Sequence, residues 1–125
     1  EYFYGAQAEQ FSFYRIPKAL FTEPNFRELS TDAKVLYGIL LDRMSLSLKN
    51  QWLDAQNKVY IIFTVDEIMD ALNCANQKAT RLMVELEKQA GLIERKRQGL
   101  GRPNLIYVKN FAATINGKSC EKGDS

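Results

Sequence analysis

The segment "VDEIMDALNCANQKATRLMVELEKQAGLIERKRQGLGRPNLIYV", residues 65–108, decides how the chain is read. Thr64 with Glu67 just ahead of it fits a capping box, in which a threonine hydroxyl and a glutamate three residues on satisfy each other's backbone N–H groups, so a helix starts here. It reaches about Leu72, where "NCAN" interrupts it. Asn76 then caps, or leads into, a further helix running to about Ala90, and Gly91 stops it because glycine accepts the left-handed backbone a helix terminus asks for. "LIERKR" and "NLIYVK" follow as strand-like runs flanking "QGLGRP", whose glycines and proline suit a turn.

Working outward, "VYIIF", residues 59–63, is a β-branched and aromatic run that predicts a strand buried on both sides. Before it lies the strongest helical pattern, "STDAKVLYGILLDRMSLSL", with Ser30 as N-cap and Asp32 in the positive first turn. Its Ala33, Leu36, Tyr37, Leu40, Leu41 and Met44 recur at three and four, which makes one buried stripe. Pro17 opens a short helix in "PKALF", and "TEPNF" breaks it. At the start, Phe11 and Phe13 alternate with Ser12 and Tyr14 as in a strand, and Gly5 with Ala6 suits the turn of a small hairpin.

From residue 31 the order is helix, strand, helix, tight turn, helix, strand, turn, strand. A short helix joined tightly to a longer one and followed at once by a basic hairpin is the order of a winged helix-turn-helix. The expected fold is therefore α+β: a winged helix-turn-helix with a small antiparallel sheet and an N-terminal aromatic-rich strand or hairpin. Residues 1–16 form that strand or arm, 17–111 the domain, and 112–125, with "NGKSCEKGDS", a linker or tail.

Composition narrows the function classes. At 125 residues the chain suits one domain with one core. No apolar run approaches the roughly 18 to 20 residues that span a bilayer, and "EYFYGAQAEQ" lacks the pattern of a secretory signal, so a cytoplasmic protein with no membrane partner is expected. Cys74 and Cys120 show no disulfide or metal spacing and read as free thiols. The chain has no histidine, which removes the commonest general base and the commonest zinc ligand. Asp66 and Asp70, four apart, lack a third ligand and read as a solvated face, and "GLGRP" is too short for a phosphate-binding loop. Neither an enzyme nor a cofactor or metal site is expected.

Net charge is +2, but residues 76–110 hold eight bases against three acids, a local +5. A basic face toward an anionic partner, or a solvated surface with chance clustering, both fit that number. The helix order favours the first. In a helix-turn-helix the second helix enters the major groove. Ala75, Ala79, Leu82, Met83, Leu86 and Ala90 fall on its core side, leaving Gln77, Thr80, Arg81, Val84 and Lys88 opposite, flanked by Asn76 and Lys78. Gln77 and Arg81 lead as base readers, since glutamine bonds adenine and arginine bonds guanine bidentately, while Val84 suits a thymine methyl. In the wing, alternation puts Arg95 and Arg97 on one face and Lys96 on the other, with Arg102 at the tip beside Gly101, placed for a narrow minor groove. The same "RKR" also guards a sheet edge against aggregation. Tyr2, Phe3 and Tyr4 are a large aromatic surface for a chain terminus, expected to dock on the domain or on a second copy; a homodimer follows from the second.

The segments "FYRIPKALF", "LSTDAKVLYGILLDRMSLS" and "YIIFTVDEIMDALNCANQKATRLMVELEKQAGLIERKRQGLGRPNLIYVKNF" closely resemble the N-terminal domain of RepA-type replication initiators of staphylococcal and related Gram-positive plasmids, over roughly residues 11–111. The resemblance implies sequence-specific binding of double-stranded DNA at repeats of a plasmid origin, as a dimer. It implies too a second, C-terminal domain similar to DnaD-type primosomal proteins, absent from these 125 residues, through which the full-length protein contacts host replication proteins. The residues alone also admit a winged-helix transcriptional regulator, separable only by the site it binds. A protein-interaction winged helix is the third reading, and the +5 segment argues against it.

Overall fold

A computed structural model of the chain describes residues 1–5 and 11–112. In chain order these form α1 (Ala19–Thr22), a 3-10 turn (Pro24–Phe26), α2 (Thr31–Lys49), α3 (Val65–Leu72), α4 (Asn76–Val84), a π turn (Glu85–Gln89), β1 (Ile93–Lys96) and β2 (Leu105–Val108). The architecture is the expected α+β one: helices packed over a two-stranded antiparallel sheet.

Each boundary has a local cause. Ser30 caps α2, its hydroxyl oxygen accepting from the Ala33 N–H at 3.2 Å. The capping box of α3 is formed in both directions: the Glu67 N–H donates to Thr64 Oγ1 at 3.2 Å and the Thr64 N–H to Glu67 Oε1 at 3.0 Å. Asn73 ends α3 in the left-handed region at φ +52°, a conformation asparagine tolerates better than most side chains, and this turns the chain into α4. Gly91, at φ +64°, does the same after the π turn. Ala75, which has no capping side-chain bond, holds the N-cap position of α4, so Asn76 is its first helical residue.

The core gathers on α2. Leu36, Tyr37 and Leu40 are fully buried against Ile68, Leu82, Leu86 and Ile106, each fully buried aliphatic contributing about 1.5–3 kcal/mol. Around Lys34, Gly38 and Ile39 the helix is enclosed on further sides, while Leu41 and Met44 of the expected stripe are half-buried. Lys34 keeps its charge in place by lying over the Phe21 ring, 4.5 Å from its centre. On α4, Ala79, Leu82 and Met83 face inward, but Ala75 is exposed because it precedes the first helical turn.

The segment 59–63 departs from its expected form. It makes one bridge to the sheet, in which Ile61 and Ile106 exchange N–H···O bonds of 2.8 and 2.9 Å, and Leu53 pairs with Val59 behind it. Burial alternates: Ile61 and Phe63 are inside, Tyr60 and Ile62 half-covered. A run held at single points, by the Tyr60 N–H donating to the Trp52 carbonyl oxygen on one edge and by Ile106 on the other, and obliged to reach the Thr64 cap at once, has only one face to bury. Trp52 stacks on Tyr60, ring centres 6.2 Å apart at 20°.

The aromatic N-terminal segment is not a strand or hairpin among the described residues. Residues 11–16 run without regular structure, linked by edge contacts of Phe11 with Phe3 and with Phe13. No free sheet edge receives them, because they cross α2 at Gly38, where an added Cβ would lie 2.9 Å from Ile16 Cγ1 and 3.0 Å from the Arg15 carbonyl oxygen. Of the turn expected at Gly5 and Ala6, Gly5 has φ +56° and Ala6 lies outside the described residues, as does the tail from 113 on.

Two outcomes test this packing. In an exposed helix Gly→Ala gains stability, but Gly38→Ala forces the crossing backbone away and should cost about 1–3 kcal/mol in denaturant unfolding. Tyr37 donates its phenol proton to the Lys109 carbonyl oxygen, and burial pushes its pKa up to about 12. With the folded value raised above the ordinary 10, this contribution is complete below pH 10 and lost as pH rises toward 12. Stability measured across that window should fall by about 2–3 kcal/mol more in the native chain than in Tyr37→Phe.

Candidate nucleic-acid interface

The surface begins with the solvent side of α4. Gln77, Thr80, Arg81 and Val84 are all exposed along it, with Asn76 at its first position and Lys88 continuing it in the π turn. Thr80 Oγ1 and Asn76 Oδ1 lie 3.5 Å apart, a contact long enough to leave both side chains available. Lys78 is turned differently, its ammonium 2.6 Å from Asp32 Oδ2 in the first turn of α2, so it clamps two helices together.

Beside this helix stands the wing. The register pairs Ile93 with Val108, Glu94 with Tyr107, Arg95 with Ile106 and Lys96 with Leu105. Alternation then places Arg95 on the face of the buried Ile93 and sends Lys96 outward. Arg95 accordingly points back to the helix, Nε and Nη2 reaching Glu87 Oε1 at 3.0 and 2.6 Å. The Arg95 guanidinium holds the Glu87 carboxyl below its usual range. Arg97 lies beyond the strand end, exposed, so it does not share the inward setting of Arg95. The tip is closed by the Gln98 side-chain amide donating to the Pro103 carbonyl oxygen at 2.8 Å and by the Arg102 N–H donating to the Gly99 carbonyl oxygen at 3.3 Å. Gly99 at φ +118° and Gly101 at +77° make that turn possible, and Arg102 stands exposed on it.

Two of the eight bases in residues 76–110 are therefore matched by acids of the same domain. Arg81, Lys88, Lys96, Arg97 and Arg102 form no ion pair among the described residues, and all five are exposed on α4, the π turn and the wing. A cleft of about 260 Å³ between the start of α3 and the wing has Arg95, Arg102 and Asn104 at its lining. Tyr2, Phe3 and Tyr4 are exposed, and Phe3 touches Phe11.

The reading from sequence missed Glu85. Counted there only as an acid within a basic run, it is 8% exposed, and both its oxygens hold the start of α2: Oε1 accepts from the Ser30 N–H and Oε2 from the Ser30 hydroxyl, each at 2.9 Å. The two residues are 55 apart, and no local pattern announces such a pair.

This combination, a helix-turn-helix whose second helix and adjoining hairpin carry exposed bases without acid partners, defines a winged-helix domain of the nucleic-acid-binding kind. The chain belongs to the replication initiator protein A (RepA) N-terminus family, which it matches over residues 12–122. A "41 kDa protein" of Lactobacillus helveticus is 33% identical over 103 residues, 82% of this chain. The match takes in 28% of that protein, so the chain spans under a third of the length of this curated relative. Among solved structures, an N-terminal domain of a DNA binding protein shares 35% identity at a TM-score of 0.73, covering 100% of this chain and 97% of that one. A Rep-DNA complex shares 35% at 0.71, covering 100% and 98%. The structure of an MDR initiator shares 38% at 0.68, covering 95% and 98%.

Glu85 gives the site its mechanical test. Glu85→Ala leaves two donors of Ser30 without their acceptor and should cost about 1–3 kcal/mol in urea unfolding, whereas Glu85→Gln, which keeps one acceptor oxygen, should recover part of it.

Proposed function

We propose that the chain binds double-stranded DNA sequence-specifically at repeated sites of a plasmid replication origin, as the DNA-recognition part of a replication initiator. The observation that carries this is the exposed Gln77, Thr80, Arg81 and Val84 face of α4 set beside a wing that ends in exposed Arg102. The likeness to a Rep-DNA complex across the full chain supports it. Gln77 and Arg81 read base edges in the major groove, with Val84 against a thymine methyl. Asn76, Thr80 and Lys88 flank them toward the backbone. Lys96 and Arg97 neutralise phosphate, and Arg102 enters the minor groove. Lys78 supports α4 from Asp32 and acts on DNA only through that helix.

The domain works as a binding module with no enzymatic step and no cofactor. It acts as a homodimer on repeated half-sites, with Tyr2, Phe3 and Tyr4 in the contact between copies, and contacts to host replication proteins belong to the rest of the full-length protein. No described helix is long and apolar enough to cross a membrane, and the cytoplasm is the compartment where origin DNA is met.

The test is titration of the chain onto labelled duplex from the plasmid's own origin and onto a scrambled duplex at several salt concentrations. Preference for the origin of about 10³-fold or more is expected. Arg81→Ala should cost about 1–3 kcal/mol and relax preference at one base pair. Arg102→Ala should weaken binding to both duplexes and flatten the salt dependence. Unchanged affinity in both variants would remove the reading.

A further inference from the structure

Arg95 stands inside the most basic run of the chain, "ERKRQ", where a contact with DNA phosphate is the natural expectation. Its guanidinium is already engaged. Both contacts go to one oxygen of Glu87, and the two side chains are only 25% and 19% exposed. The partners come from elements that meet a duplex in different grooves: Glu87 from the π turn that ends the reading helix, Arg95 from the first strand of the wing. We infer that Arg95 and Glu87 are positioning residues that fix the wing against the reading helix, and that Arg95 is not itself a DNA ligand. The inference rests on the DNA-binding reading above.

Direction comes first. Strand alternation puts Arg95 on the side of the buried Ile93, facing the helix, while Lys96 points away from it. Charge comes next. A carboxylate close to a phosphate-binding surface repels the backbone it is meant to approach, and Glu87 escapes that penalty only while a cation sits on it. Geometry supplies the third argument. The chain between the two elements turns at Gly91, the residue with the least conformational resistance; beyond it the backbone is held by buried Leu92, whose N–H donates to the Leu86 carbonyl oxygen and whose carbonyl accepts from the Lys109 N–H, each at 2.8 Å, and the ion pair is the side-chain tie across the corner. A helix in the major groove and a hairpin in the minor groove must hold a fixed separation to engage the same duplex. A loose Gly91 corner would pay its ordering cost on binding, and the ion pair removes that cost beforehand.

A device of this kind affects matched DNA more than unmatched DNA, because phosphate contacts tolerate a shifted wing and base contacts do not. Arg95→Met, Glu87→Gln and the exchanged pair Glu87→Arg with Arg95→Glu are titrated on origin and scrambled duplex across a salt series, with melting curves to verify folding. Each single variant should lose about tenfold on origin duplex and less on scrambled duplex. The slope of log affinity against log salt should stay unchanged, and the exchanged pair should regain most of the loss. A phosphate ligand behaves otherwise: Arg95→Met would then flatten the slope by about one, and Glu87→Gln, by deleting a negative charge beside DNA, would tighten binding. Either result overturns the inference, as does an exchanged pair that folds yet binds no better than Arg95→Met. Should the native chain show no origin preference, the function proposed above falls together with this one; origin preference with a flattened Arg95→Met slope sinks this one alone.

Discussion

Glu85 sits where α2 begins and the reading helix ends, and the setting of the whole recognition surface depends on its two bonds to Ser30. A π turn begins at the same residue. By closing Glu85 C=O to the Ala90 N–H, five residues on, the helix widens by one residue and rotates the following side chains relative to an uninterrupted α-helix. Leu86 remains in the core, and Glu87 is presented to the wing. One irregular turn therefore connects the reading helix to both of its neighbours.

Acidic side chains brace the recognition elements from three sides. Asp32 takes Lys78, Glu87 takes Arg95, and Glu85 closes the cap of α2. Beyond the wing, Asp54 accepts from the Tyr107 hydroxyl at 2.9 Å, and backbone N–H groups of Lys58 and Gln56, with that hydroxyl, hold its carboxyl below the usual range. The modest net charge of +2 conceals the uneven distribution along the chain, for within residues 76–110 Arg81, Lys88, Lys96, Arg97 and Arg102 are exposed and form no ion pair among the described residues.

Much of this was legible in the sequence because it is written in short-range signals. Ser30, the Thr64 and Glu67 pair, and Gly91 each act within a turn of their own position, and they place α2, α3 and the end of the reading helix. Side-chain alternation along "LIERKR" likewise placed Lys96 correctly. Where the reading failed, the deciding partner was distant. Residues 11–16 have the alternation of a strand, but the close approach to Gly38 on α2 takes that backbone onto a helix, and a strand without an edge to join stays irregular. Residues 59–63 looked buried on both faces because hydrophobic content does not record that only Ile61 and Phe63 turn fully inward. Arg95 and Arg97 looked equivalent because spacing along a strand fixes the side a residue faces and leaves open what waits there.

The only tryptophan of the chain offers a practical consequence. Trp52 stacks on Tyr60 just past the C-terminal end of α2, and its backbone N–H donates to the Ser47 carbonyl oxygen, whereas Lys78 and Glu85 meet the same helix at its other end. Nineteen residues of helix extend over roughly 28 Å, so the indole lies at the opposite end of α2 from those two contacts. Its emission is thus an optical signal for the integrity of the fold, reporting on the packing at the C-terminal end of α2.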